Sequence, residues 1–233
     1  MKTMDDIHIL QDRNYGLGNF INLTPTIKAL SEHLDMKIPV YFELDHVKQC
    51  FIDCDFMEIL EKQPFDKPLF SSAMVDFRNR IPDWVYVYRE TSKLFNLNPD
   101  APHTYVDRAS EIDGIDKPYT LFMYGSGNED KLYMNTKSPD KSYYTDYMNG
   151  KCIFTGSEVD YNRERWFNHM DHYLNDIRKS LALIRDATLI ISNDTGLAHA
   201  AGAMNKNIII LWKDSALPKN GNPGENTLIK LVR

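Results

Sequence analysis

The segment Ser192-Asn193-Asp194-Thr195-Gly196-Leu197-Ala198-His199-Ala200-Ala201-Gly202-Ala203 constrains the fold more than any other part of this 233-residue chain. It lies between two apolar runs, Ala187-Thr188-Leu189-Ile190-Ile191 and Asn207-Ile208-Ile209-Ile210-Leu211-Trp212. Both runs are short and rich in β-branched residues, the pattern of buried strands. Between them, a polar turn leads into a short helix of Ala and Gly. Strand, turn, helix and strand form a parallel βαβ unit. The turn then falls at the carboxyl end of the first strand, where open α/β sheets bind ligands. The amides of Thr195, Gly196 and Leu197 open the helix, and unpaired amides at a helix start attract phosphate. Asp194 has the chemistry of an N-cap. His199 stands four residues after Thr195, on nearly the same helix face. A capped helix with a buried histidine is the alternative reading, and the small residues permit close helix–sheet packing under both.

Upstream, Leu174 to Asp186 reads as a helix, with Leu174, Ile177, Leu181 and Ile184 at helical spacing. At the other end of the chain, Ile7-His8-Ile9-Leu10 reads as a strand and Gly16-Leu17-Gly18-Asn19 as a glycine loop. A helix over 20–34 follows, containing Thr24-Pro25-Thr26-Ile27-Lys28-Ala29-Leu30. These two blocks, in this order, resemble glycosyltransferase family 9, the ADP-heptose:lipopolysaccharide heptosyltransferases. The resemblance covers roughly residues 7–34 and 174–231. It implies an α/β, GT-B-like fold of two Rossmann-like lobes with parallel sheets. It also implies transfer of a sugar from a nucleotide-diphosphate-sugar donor to a hydroxyl.

Two departures stand out. The family carries Asp after the loop glycine, as the base that deprotonates the acceptor hydroxyl; here the position is Asn19. An amide cannot take that proton. Asp12, in the same loop, is the first substitute, and Glu43 and Asp45 at the end of the next strand come second. Gly16 and Gly18 then belong to the acceptor side, and Asn19 retains hydrogen-bonding capacity there. The second departure is length, which requires both lobes to be trimmed.

On the donor side, Asn193, Asp194, Thr195, Gly196, Leu197 and His199 form the expected binding turn. The resemblance implies a lysine from the loop after a strand at 119–124. Lys131 is the best placed, with Lys137 and Lys141 as alternatives. Glu158 follows a strand at 152–157, a position suited to a ribose hydroxyl. The polar, Gly/Pro-rich stretch 213–226 occupies the place of a family loop near the donor. Further helices are predicted over 46–62 (broken near Cys54-Asp55), 82–97, 142–149 and 160–168. Strands are predicted over 37–44, 67–72 and 228–232. The expected lobes are 1–117 and 118–233, joined through the polar stretch 108–117.

Composition narrows the classes. A hydrophobic fraction of 42% suits a folded protein, and a formal charge of −6 disfavours non-specific nucleic-acid binding. No apolar run approaches the ~20 residues of a membrane span. Met1 to Asp6 lacks the apolar core of a signal peptide. The odd count of cysteines, Cys50, Cys54 and Cys152, points to free thiols in the cytoplasm. Asp53 and Asp55 form the single Asp-x-Asp pair considered and lie at a helix break, so metal-independent chemistry is expected, with no cofactor. The acceptor remains open among a glycan, a nucleotide and a modified base. A nucleotide-sugar binder or hydrolase that has lost the base is the alternative function.

Overall fold

The computed structural model describes residues 8–63, 70–71, 103–109, 112–123, 146–155, 173–174, 176–193, 195–212 and 226–231. The chain divides into two units, Met1–Asp107 and Arg108–Arg233. The division falls ten residues before the predicted linker end at 117, for a local reason. The Tyr105 N–H donates to Thr24 Oγ1 (2.7 Å) and the Asp107 N–H to Cys50 O (2.9 Å), which ties 105–107 to the first unit. From Ala109, whose carbonyl accepts from the Arg185 guanidinium, the chain is bound to the second.

The first unit runs β1 (Ile9–Gln11), α1 (Leu17–Leu34), β2 (Ile38–Phe42), α2 (Asp45–Lys48), β3 (Met57–Leu60) and β4 (Phe70–Ser71). Its strands are parallel in the order β3-β2-β1-β4. Helix α1 starts three residues earlier than predicted and is buried along most of its length. Pro25 lies inside it and has no N–H to give to the Ile21 carbonyl. The Thr24 hydroxyl replaces that donor, reaching Ile21 O at 2.7 Å. The Thr-Pro pair therefore continues the helix where proline alone would break it. Phe20, Phe42 and Phe51 pack as a trio, with ring centroids 4.8–5.9 Å apart, and brace the start of α1 against the end of β2.

The predicted helix over 46–62 is a single turn, α2, followed by tight turns and then strand β3, which pairs with β2. Asp107, 1% exposed, accepts the Asp53 N–H through Oδ2 (2.9 Å) and the Tyr105 hydroxyl through Oδ1 (3.0 Å). A carboxylate from 54 residues away thus fixes the turn.

The second unit runs β5 (Thr120–Met123), β6 (Cys152–Thr155), β7 (Tyr173–Leu174), α3 (Ile177–Asp186), β8 (Leu189–Ser192), α4 (Gly196–Ala203), β9 (Ile208–Trp212) and β10 (Thr227–Leu231). Its parallel sheet has the order β10-β9-β8-β5-β6-β7. Counted along the unit, this is the doubly wound order 3-2-1-4-5-6, whose switch point lies between β5 and β8. The core gathers Phe122, Cys152, Phe154, Ile191 and Leu211. Leu174 belongs to β7 and not to the predicted helix, because Asp176 caps α3 by accepting the N–H groups of Arg178 (2.9 Å) and Lys179 (3.1 Å). Residues 146–150 are turn and coil, not the end of a helix. The predicted helices 82–97 and 160–168 lie outside the described residues, as does nearly all of the 213–226 stretch.

Candidate functional site

In a parallel sheet every strand ends at one edge, and the loops there form the binding surface. The edge of the second sheet is built around Ser192 and Asn193, which are 0% and 1% exposed. The Asn193 N–H donates to Met123 O (3.4 Å), which carries the β5–β8 pairing one residue past the end of β8. Ser192 Oγ lies 2.7 Å from Asn193 O and 3.2 Å from Met123 O. This fixes the direction in which the chain leaves β8. Thr195 then takes extended geometry (φ −132°, ψ 164°), and its hydroxyl accepts the Ala198 N–H at 3.3 Å. The N-cap of α4 is therefore Thr195, one residue later than the expected Asp194, which lies outside the described residues. The shift leaves the N–H groups of Gly196 and Leu197, the first two of the helix, without an intrahelical acceptor. Those amides open at the switch point.

His199 is 8% exposed, and its N–H follows the cap to Thr195 O (3.4 Å). Ala198, Ala200 and Ala201 are fully buried, and α4 packs on α3 and β9. Lys131 and Glu158 lie outside the described residues. The chain leaves the described sheet toward them at Met123 and Thr155, both at this carboxyl edge.

The edge of the first sheet has a different character. Gly16 is the N-cap of α1 and offers no side-chain hydrogen bond, and the first helical turn holds no acidic residue. Its φ of −75° does not require glycine, and a Cβ there would meet nothing within 4 Å. What glycine leaves at this point is open space beside the helix start. Gly18 and Asn19 lie inside the first turn. Asn19 Nδ2 is buried and has no hydrogen-bond partner among the described residues. An orphaned buried donor of this kind costs about 1–3 kcal/mol until an oxygen meets it.

The three carboxylates considered as bases are placed unequally. Asp12 Oδ1 accepts from the N–H (2.8 Å) and the side-chain amide (3.0 Å) of Asn14, an Asx turn that shapes the loop after β1. Glu43 accepts the Arg13 N–H (2.7 Å), with the Arg13 guanidinium at 3.5 Å. Asp45 opens α2, and its carbonyl accepts the Gln49 N–H. Next to it, burial lowers the His46 pKa while Asp45 works to raise it.

One residue of this edge was missed in the sequence. Gln11, 0% exposed, ends β1 with its side-chain amide folded over the loop. The signal available was an amide closing an otherwise apolar strand.

The cysteines are free and buried. Burial, the largest influence, pushes the Cys54 thiol up to about 12, which removes it from nucleophilic chemistry. Among the described residues, no three His, Cys, Asp or Glu side chains gather as a metal-binding group. No helix of those residues is long and apolar enough to cross a membrane.

Comparison with known proteins bears on the second edge directly. Residues 175–226 match the model of glycosyltransferase family 9 (heptosyltransferase). No curated protein matches the chain. Among solved structures, a glycosyl transferase of family 9 from Veillonella parvula has a TM-score of 0.69 and 11% identity, over 100% of this chain and 87% of that one. The E. coli heptosyltransferase WaaC, solved with ADP, has a TM-score of 0.67 and 11% identity, over 97% of this chain and 94% of that one. The iron-containing dodecameric glycosyltransferase TibC of enterotoxigenic E. coli has a TM-score of 0.62 and 14% identity, over 98% of this chain. This chain spans 63% of the length of TibC. At such identities the structural likeness is one of fold. The helix start at the switch point of the second sheet thus lies in the segment that matches the family 9 model, and the chain shares its α/β, GT-B-like fold with solved glycosyltransferases.

Proposed function

We propose that the chain is a glycosyltransferase that moves a sugar from a nucleoside-diphosphate donor to a hydroxyl acceptor without a metal ion. One observation carries the reading: the segment that matches the family 9 model includes the Thr195–Leu197 start of α4, at the switch point of a 3-2-1-4-5-6 sheet. There, exposed backbone donors at a helix start meet the diphosphate as its charge grows. When the glycosyl–phosphate bond breaks, its electron pair passes to the diphosphate oxygen. The N–H groups of Gly196 and Leu197 stabilise that charge, and Lys131 supplies the cation. Asn193, Asp194, Thr195 and His199 complete the donor-binding set, and Glu158 takes the ribose. On the acceptor side, Gly16 and Gly18 leave room for the incoming hydroxyl. Asn19 orients its oxygen through Nδ2, and Asp12 takes the proton. Because WaaC was solved with ADP, an ADP-sugar is the first donor to test. Buried free cysteines suit a reducing cytoplasm.

The test is incubation with a panel of nucleotide-sugars, ADP-linked first, reading nucleoside diphosphate released with and without candidate glycan acceptors. Release that rises with an acceptor and yields a glycosylated product supports transfer. Fast release without any acceptor supports a hydrolase. Tight binding with no turnover across the panel supports a binding protein.

A further inference from the structure

We propose that Gln11 is a positioning residue that latches the β1–α1 loop in its working shape and thereby governs turnover without governing donor binding. Its side-chain amide is fully buried and makes three hydrogen bonds with both of its ends. Nε2 donates to Asp12 O (2.7 Å) and to Tyr15 O (2.8 Å), the first and fourth residues of the loop. Oε1 accepts the Leu44 N–H (3.0 Å) just past β2, and the Gln11 carbonyl accepts the Glu43 N–H (3.1 Å).

One amide thus joins the loop after β1 to the segment after β2. Only asparagine shares the head group this set needs, and it is one methylene shorter. Two carbonyls facing one nitrogen require an NH2 group, and the opposing N–H requires an acceptor on the same planar head. Glutamate supplies the acceptor but sets an oxygen against two carbonyl oxygens. Methionine has a similar length and supplies neither bond. The loop so held carries Asp12 and leads through Gly16 to Asn19, so its shape fixes these groups relative to one another. Small displacements of such groups reduce turnover far more than binding. The diphosphate turn lies in the other unit, on its own sheet. The inference rests on the transferase reading for its effect on turnover, but the latch itself is a property of the loop.

The experiment compares the full chain with Gln11→Met and Gln11→Glu. Three quantities are read: amide hydrogen exchange at 12–16 and Leu44, ADP affinity by calorimetry, and kcat and KM for the nucleotide-sugar the unmodified chain turns over. In Gln11→Met, exchange at both places should rise at least tenfold. ADP affinity and donor KM should stay within threefold, while kcat falls at least tenfold. In Gln11→Glu the loop amides should loosen while Leu44 stays protected, a split that general destabilisation does not produce. Unchanged exchange in both variants overturns the latch. Loss of ADP affinity in step with kcat also overturns it, because Gln11 then supports the whole fold. If no nucleotide-sugar is turned over by the unmodified chain, the transferase reading and the turnover role fall together. The exchange pattern still decides whether the latch exists.

Discussion

Asp186 provides a stability test of the scaffold that leads into β8 and α4. It is the last residue of α3, one short connection before β8. Its carboxylate receives the Arg185 guanidinium in two bonds (2.7 and 2.8 Å) and lies 3.0 Å from Lys117 Nζ. Hydrogen bonding from Arg185 is the main reason its pKa falls from 3.8 to about 2; burial opposes the shift and Lys117 adds to it. A carboxylate whose pKa is lower in the folded state stabilises that state above the unfolded value. The contribution disappears as pH falls through the folded value. The interval from 3.8 to about 2 corresponds to about 2 kcal/mol at ~1.4 kcal/mol per tenfold. The Lys117 side chain is 56% exposed, so its share is screened. A net effect of about 1–2 kcal/mol remains. Urea unfolding of the unmodified chain and of Asp186→Asn, followed by circular dichroism from pH 7 to pH 2.5, measures it. The gap between the two should be constant from pH 7 to about pH 5 and should narrow steadily between about pH 4 and pH 2.5, with the last of it lost only as pH falls through about 2. A gap of the same size at pH 2.5 as at pH 7 would refute the reasoning, because the loss would then arise from shape and not charge.

Replacing Gly196 with Val should cost at least tenfold in ADP affinity, about 1.4 kcal/mol. Calorimetry that finds a folded variant with unchanged affinity moves the diphosphate away from this turn. Turnover should survive EDTA; loss on chelation, restored by magnesium or manganese, would reveal a metal site. Asp12→Asn keeps an oxygen for Asn14 but cannot take a proton, and kcat should fall ~10²–10⁴-fold. Near-normal turnover in that variant removes Asp12 from the base role. Asn19→Ala should lower kcat only modestly, whereas a gain of transfer in Asn19→Asp would identify a lost base.

The parts of this fold that were legible in the sequence are those whose cause is local. The unit β8–α4–β9 follows from two β-branched runs, a polar turn and a run of Ala and Gly, and each of these acts within a few residues. Helix α1 was legible for the same reason, since Thr24 repairs the gap left by Pro25 from the adjacent position. The segment 46–62 was misread because its cause is distant. Asp107 takes the Asp53 N–H from 54 residues along the chain, and β3 exists by pairing with β2. The shift of the α4 cap from Asp194 to Thr195 has an intermediate cause. Both residues are competent caps by type, and the Met123–Asn193 contact decides how far the chain runs before it turns.

The same division separates the two candidate edges. Each sheet sends the chain from a strand at its switch point into the first turn of a helix, but the two helices begin differently. Helix α4 is capped by its own Thr195, so its first two amides are aimed and the rest of the turn is closed. Helix α1 has no side-chain cap and no acidic residue in its first turn, and Asn19 adds a buried donor without a partner among the described residues. An uncapped helix start normally costs about 1 kcal/mol relative to a Ser or Asp cap, less for glycine. Here the loop before it is held from outside the helix instead, by Gln11, which also accepts the Leu44 N–H, and by Glu43 from beyond β2. The first edge therefore presents donors set by long-range contacts, and the second presents donors set by its own sequence. The family model accordingly matches the second edge, over residues 175–226, while the shape of the first depends on contacts that reach the loop from beyond β2.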